Sequence, residues 1–137
     1  METKKDILNR LFVENNLTSE DVFKHQHYTI ITRSGIEKIM NNLQIYCEYE
    51  VIKCEPHFAV VKAKGETTDR EGGEKFVQTF GSALRGTNYQ DGNTNTWYVM
   101  EMAEKRAMSR AVLKLAGFYE FGVFGEDESE SFKKNNN

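Results

Sequence analysis

"EMAEKRAMSRAVLKLAGFYEFG", residues 101–122, sets a row of alanines against a row of cations on what can only be one long helix. With 3.6 residues per turn, Met100, Ala103, Ala107 and Ala111 fall in one row, continued by Val112 and Leu115. Arg106, Arg110 and Lys114 fall in another, flanked by Lys105 and Ser109. The helix is predicted from about Trp97 to Leu115, with caps at Thr94 to Thr96 and a stop at Gly117. Alanine on one side predicts close seating on a sheet. The cations are then expected on the outside.

Upstream the hydrophobic period changes from helical to two. In "QIYCEYEVIKC" Ile45, Cys47, Tyr49 and Val51 alternate with Tyr46, Glu48, Glu50 and Ile52. After Pro56, "HFAVVKAKGE" puts Ala59, Val61 and Ala63 on one side and Phe58, Val60, Lys62 and Lys64 on the other. "TTDREGG" is a turn, and "EKFVQTFGSALRG" is a third strand in which Phe76, Gln78 and Phe80 alternate with Val77, Thr79 and Gly81. These three predict an antiparallel meander. "GTNYQDGNTNT" then reads as an exposed loop.

Two helices are expected before the meander. Ile7, Leu8, Leu11 and Phe12 mark the first, over residues 3–14. "SGIEKIMNNL" opens the second with Ser34 and Glu37 at capping-box spacing, after a short strand in "HYTIIT"; Thr18 and Asp21 share that spacing and predict a helical turn between. The fold class is α+β, a three-stranded antiparallel meander packed by a long C-terminal helix, with N-terminal helices. Residues 1–124 are expected to form one domain and 125–137 an acidic, then polar, flexible tail.

The chain has 137 residues and a net charge of −3, which at first argues against a nucleic-acid partner. The acids are uneven, however: Glu126, Asp127, Glu128 and Glu130 lie within five positions, and without residues 125–137 the body is close to neutral. Net charge therefore leaves DNA open. No apolar run reaches membrane-spanning length, and the charged N-terminus does not resemble an export signal, so a cytoplasmic location is expected. Cys47 and Cys54 lack partners at zinc spacing and read as small strand residues.

The order of elements, with Gly81, Ser82 and Ala83 before the helix and Ala103, Lys105, Arg106, Ala107, Arg110, Ala111, Leu115 and Gly117 within and after it, resembles the single-strand annealing proteins of recombination. The particular resemblance is to the Erf type, in which acidic residues follow the helix as Glu126, Asp127 and Glu128 do here. The eukaryotic Rad annealing protein shares the β-β-β-α order, and RecT and Red beta belong to the same broad group. The resemblance spans residues 28–128. It implies single-stranded DNA binding and strand annealing in phage or mobile-element recombination, inside a bacterial host cell. It also implies a homo-oligomeric ring or filament, a possible phage or host recombination protein as partner, and no cofactor.

Single strands are held by cations along the phosphates and by flat apolar groups beneath the bases. The expected cations are Lys105, Arg106, Arg110 and Lys114 on the helix, where every fourth residue advances about 6 Å, close to phosphate spacing. Lys62, Lys64, Arg70, Lys75 and Arg85 are candidates for the opposite wall, and Tyr89, Trp97 and Tyr98 for stacking. The same residues have plainer readings: a solvated helix face with a Glu101–Lys105 pair, and Trp97 as a core anchor. Phe118, Tyr119, Phe121 and Phe124 are expected to pack on the sheet or on a neighbouring subunit. Two other classes stay open. One is an adaptor that docks a partner through the acidic tail. The other is a metal-dependent nuclease built from Glu48, Glu50, Asp69, Glu74 and Lys75, whose spacing fits no such motif. His25, His27 and His57 have no arranged catalytic partner, and no phosphate-binding Gly-Lys-Ser/Thr loop is present, so the chain is read as a non-enzyme.

Overall fold

The computed structural model describes residues 2–25, 28–69, 71–86 and 98–128. The meander is present: β3 (Tyr46–Glu55), β4 (Phe58–Thr68) and β5 (Glu74–Leu84) form one antiparallel sheet in that order. The long helix α3 (Val99–Ala116) packs on it and ends at Gly117, whose φ of 86° is the left-handed conformation that suits a glycine stop.

Small residues set the contact. Ala59, Val61, Ala63 and Ala83 of the sheet meet Val99, Ala103, Ala107 and Ala111 of α3, and all are buried. At Gly81 the approach is closest: an added Cβ would lie 2.2 Å from the Ala103 carbonyl oxygen and 2.4 Å from the Ala107 nitrogen. Beside it, the Thr79 hydroxyl donates to the Ala107 carbonyl at 2.6 Å.

The second half of the molecule begins with α1 (Lys4–Glu14), started by a reciprocal capping box between Thr3 and Asp6. An antiparallel hairpin, β1 (Val22–His25) and β2 (Tyr28–Ile31), leads into α2 (Arg33–Leu43). After α3 a 3-10 turn at Tyr119–Phe121 leads to β6 (Val123–Gly125), which pairs in parallel with β2 and completes a second three-stranded sheet, ordered β1-β2-β6. Ile31, Ile36, Ile39, Val112, Leu113, Phe118 and Val123 form the core here, so α3 is wrapped on two sides. Phe118 is fully buried and stacks on Phe12, ring centroids 5.7 Å apart, while Phe124 sits edge-on to both Tyr28 and Tyr119.

Several sequence expectations shift. The cap of α2 is Thr32, accepting from the Gly35 N–H, not Ser34. Thr18 and Asp21 do bond, Thr18 N–H to the Asp21 carboxylate at 2.9 Å, but they close a turn rather than start a helix. α3 opens at Tyr98 without a side-chain cap, and Thr94 to Thr96 lie outside the described residues. The domain boundary expected at residue 124 also moves: Gly125 belongs to β6, and Asp127 and Glu128 are buried. Residues 129–137 lie outside the described range.

Gly81→Ala is expected to cost about 3 kcal/mol or more, because the new methyl meets backbone on both sides; a urea titration should show a lower midpoint with unchanged slope. Asp21 supplies a pH test. Lys38 Nζ at 2.6 Å, with the Thr18 N–H and Ser34 hydroxyl, holds its carboxyl down to about 2, against an ordinary 3.8. The folded-state value is depressed, so this contribution is complete above the ordinary value and lost as pH falls through about 2. The melting-temperature gap between the wild type and Asp21→Asn should therefore be widest at neutral pH and close between about pH 4 and 2.

Candidate nucleic-acid interface

The cationic row of α3 does not lie on the outside. Arg106 is only 4% exposed; its Nη1 donates to the Ser82 carbonyl at 2.8 Å and its Nε to the Asp127 carbonyl at 3.0 Å. Arg110 repeats the pattern one turn later, Nη1 to the Phe80 carbonyl at 2.8 Å and Nε to the Glu128 carboxylate at 3.1 Å. β5 is an edge strand of its sheet, and both guanidiniums reach its backbone. Like-facing carbonyls recur about every 6.8 Å along a strand, and arginines four apart recur about every 6 Å along a helix. The spacing that suggested a phosphate track matches a strand edge instead. Arg106 is therefore corrected from a surface ligand to a buried clamp.

The acidic run also meets Arg33 and Ser109. Asp127 accepts from Arg33 Nη2 at 3.1 Å, Glu126 accepts from the Arg33 N–H at 3.0 Å, and Ser109 reaches Asp127 at 3.5 Å. Burial pushes the Glu128 carboxyl up, opposed by the charges of Arg110 and Arg106 beside it. Asp127 and Glu128 are thus buried within the fold.

The remaining cations are scattered. Lys114 is exposed, with Nζ 5.3 Å from the centre of the Tyr119 ring. Lys75 reaches the Leu115 carbonyl at 3.3 Å, a favourable place for a cation at a helix C-terminus. Lys105 is half-buried on α3, and Arg85 is half-buried where its N–H joins the His57 carbonyl at 2.7 Å. Tyr98 is 70% exposed at the start of α3. Arg70, Tyr89 and Trp97 lie outside the described residues.

Lys62 and Lys64 lie elsewhere, on the face of the β3-β4-β5 sheet turned away from α3. Strand register builds that face in cross-strand rows: Glu50, Lys62 and Phe80; then Glu48, Lys64 and Gln78; then Tyr46, Glu66 and Phe76. Phe76 is 70% exposed, Tyr46 59% and Phe80 51%. Two bare phenylalanines on one strand, about 13 Å apart with a row between them, are an exposed apolar surface of the kind that marks a binding face. Lys62 Nζ pairs with Glu50 at 3.5 Å, so the face mixes charge rather than presenting a cationic field.

No family model, curated protein or solved structure matches this chain. The chemistry of the face rests on its own residues.

Phe76, Phe80 and Tyr46 were not among the sequence candidates. The signal was present: Ala59, Ala63, Gly81 and Ala83 share the side that mirrors the alanine row of α3, which leaves the phenylalanines on the opposite side. Among the described residues no group of three or more His, Cys, Asp or Glu could hold a metal. Glu48 and Glu50 stand on one edge strand and Glu74 on the other, so the nuclease set does not converge. No described helix is long and apolar enough to cross a membrane.

Arg106→Ala is expected to lower stability by about 3 kcal/mol, since it strips donors from two carbonyls and leaves a cavity. Arg110→Ala, with a side chain 39% exposed, should cost about 1–2 kcal/mol. Chemical denaturation of the two variants should rank them in that order.

Proposed function

We propose that this chain binds single-stranded DNA on the open face of the β3-β4-β5 sheet and promotes annealing of complementary strands, without enzymatic chemistry. The observation that carries the reading is the pair of exposed rings, Phe76 and Phe80, with Lys62 and Lys64 on the neighbouring strand. Aromatic rings take base faces and lysines take phosphates, a combination indifferent to sequence. Neither engages the Watson–Crick edges of the bases, which stay free to meet a complementary strand. The resemblance of residues 28–128 to the annealing proteins supports placing the activity in phage or mobile-element recombination within a bacterial cell.

Self-association belongs to this reading. Arg106 and Arg110 occupy the edge carbonyls of β5 at Ser82 and Phe80, so a second copy would pair at the other edge, β3. Tyr46, Val51 and Ile52 are exposed along that strand. Copies joined there would extend one aromatic face into the next.

Fluorescence anisotropy of labelled oligo-dT over a salt series tests the proposal. The Phe76→Ala/Phe80→Ala variant, altered only at exposed rings, is expected to stay folded and to lose about thirtyfold in affinity, from stacking contributions of about 1–3 kcal/mol per base. Two lysines predict a shallow salt dependence, a slope of log K against log salt near about −1.4. A folded double variant that keeps wild-type affinity would overturn the assignment.

A further inference from the structure

A second surface has a different chemistry and lies outside the β3-β4-β5 sheet. α1, the β1-β2 hairpin and the 3-10 turn enclose an open cleft of about 600 Å³. Its floor is apolar, formed by the half-buried side chains of Leu8, Phe12, Val22 and Phe121. Its rim carries Lys4, Lys5 and Lys24, all exposed.

Among the described residues no carboxylate lines the cleft, and none forms an ion pair with any of these three lysines. The acids of α1 and of the residues just before it are engaged elsewhere: Glu2 and Glu14 with Arg10, and Asp6 in the capping box with Thr3. Another cleft, of about 590 Å³, has a mixed lining that includes Glu14 and Asp69 as well as Lys75. Lys4 and Lys5 also sit in the first turn of α1, the end of a helix at which anions are favoured and cations are not. In a chain with more acids than bases, three unpaired cations converge on one apolar cleft.

We propose that this cleft docks an acidic peptide of a partner protein, one whose run of Asp or Glu adjoins a large apolar side chain. The apolar anchor covers Leu8, Phe12, Val22 and Phe121, and the carboxylates meet Lys4, Lys5 and Lys24. Charge complementarity decides the sign of the occupant, and the floor decides that charge alone is insufficient. A nucleic-acid duplex, with its bases stacked inside, would satisfy the lysines and leave the floor bare. A membrane surface is planar and cannot fill a concave floor. The proposal goes beyond strand binding and does not depend on it, because none of these residues lies on the β3-β4-β5 sheet.

The test uses the full chain and a fluorescein-labelled, amidated peptide, Asp-Asp-Glu-Glu-Leu-Phe, read by anisotropy at low salt. Saturable binding is expected. Lys5→Glu/Lys24→Glu, two changes at exposed positions, should weaken it by at least about tenfold while keeping the wild-type melting temperature and oligo-dT affinity. A probe with Ser in place of Leu and Phe should weaken comparably. Undiminished binding by the reversed variant, or equal binding of the Ser probe, would overturn the proposal. So would displacement of the peptide by oligo-dT, which assigns the lysines to nucleic acid. Binding of the chain to phosphatidylserine vesicles through the same lysines, with no binding to the peptide, would assign them to lipid and overturn it equally.

Discussion

The close approach of α3 to β5 is the constraint on which the rest of the structure depends. Gly81 has no room for a Cβ against the backbone of Ala103 and Ala107, and every neighbour in that layer is correspondingly small. At such a distance long side chains cannot lie between helix and sheet, so Arg106 and Arg110 extend past the margin to the carbonyls of β5. One contact therefore seals the edge of the sheet, hides a guanidinium and commits one sheet face to the core. The opposite face remains bare.

A buried guanidinium has to be matched, and the chain supplies the match from its own acidic run. Gly125 lies against Ser109, with room for nothing larger, and β6 pairs with β2 so that Glu126, Asp127 and Glu128 arrive beside Arg33, Arg106 and Arg110. The Asp127 carboxylate meets the Arg33 guanidinium across 94 positions of sequence, and the Glu126 carboxylate accepts from the Arg33 N–H across 93. Net charge was thus a poor guide to the surface: the acids nearest α3 and the cations of α3 largely cancel within the fold.

Two surfaces of contrasting chemistry are left. On the open sheet, aromatic rings stand beside Lys64 and beside Lys62, which is itself paired with Glu50, an arrangement in which stacking outweighs charge. In the α1 cleft the lysines are unanswered and the apolar groups are sunk beneath them, so charge selects and burial holds. Ligands suited to one would be poorly suited to the other.

The meander, the long helix and its glycine stop were legible in the sequence because each rests on a local period: two for Phe76, Gln78 and Phe80, and about 3.6 for Ala103, Ala107 and Ala111. β1 and β6 were not, since strands of four and three residues show no period and exist only through pairing with β2. Of the candidate site, Lys62 and Lys64 were read onto one strand face correctly, but the phenylalanines beside them were taken for ordinary strand residues. The cations of α3 were the larger misreading. Periodicity puts Arg106, Arg110 and Lys114 in a row, yet it cannot say whether that row meets water, phosphate or a strand edge. Local spacing determined which residues share a face; only tertiary packing decided which face is covered, because burial depends on partners distant in sequence.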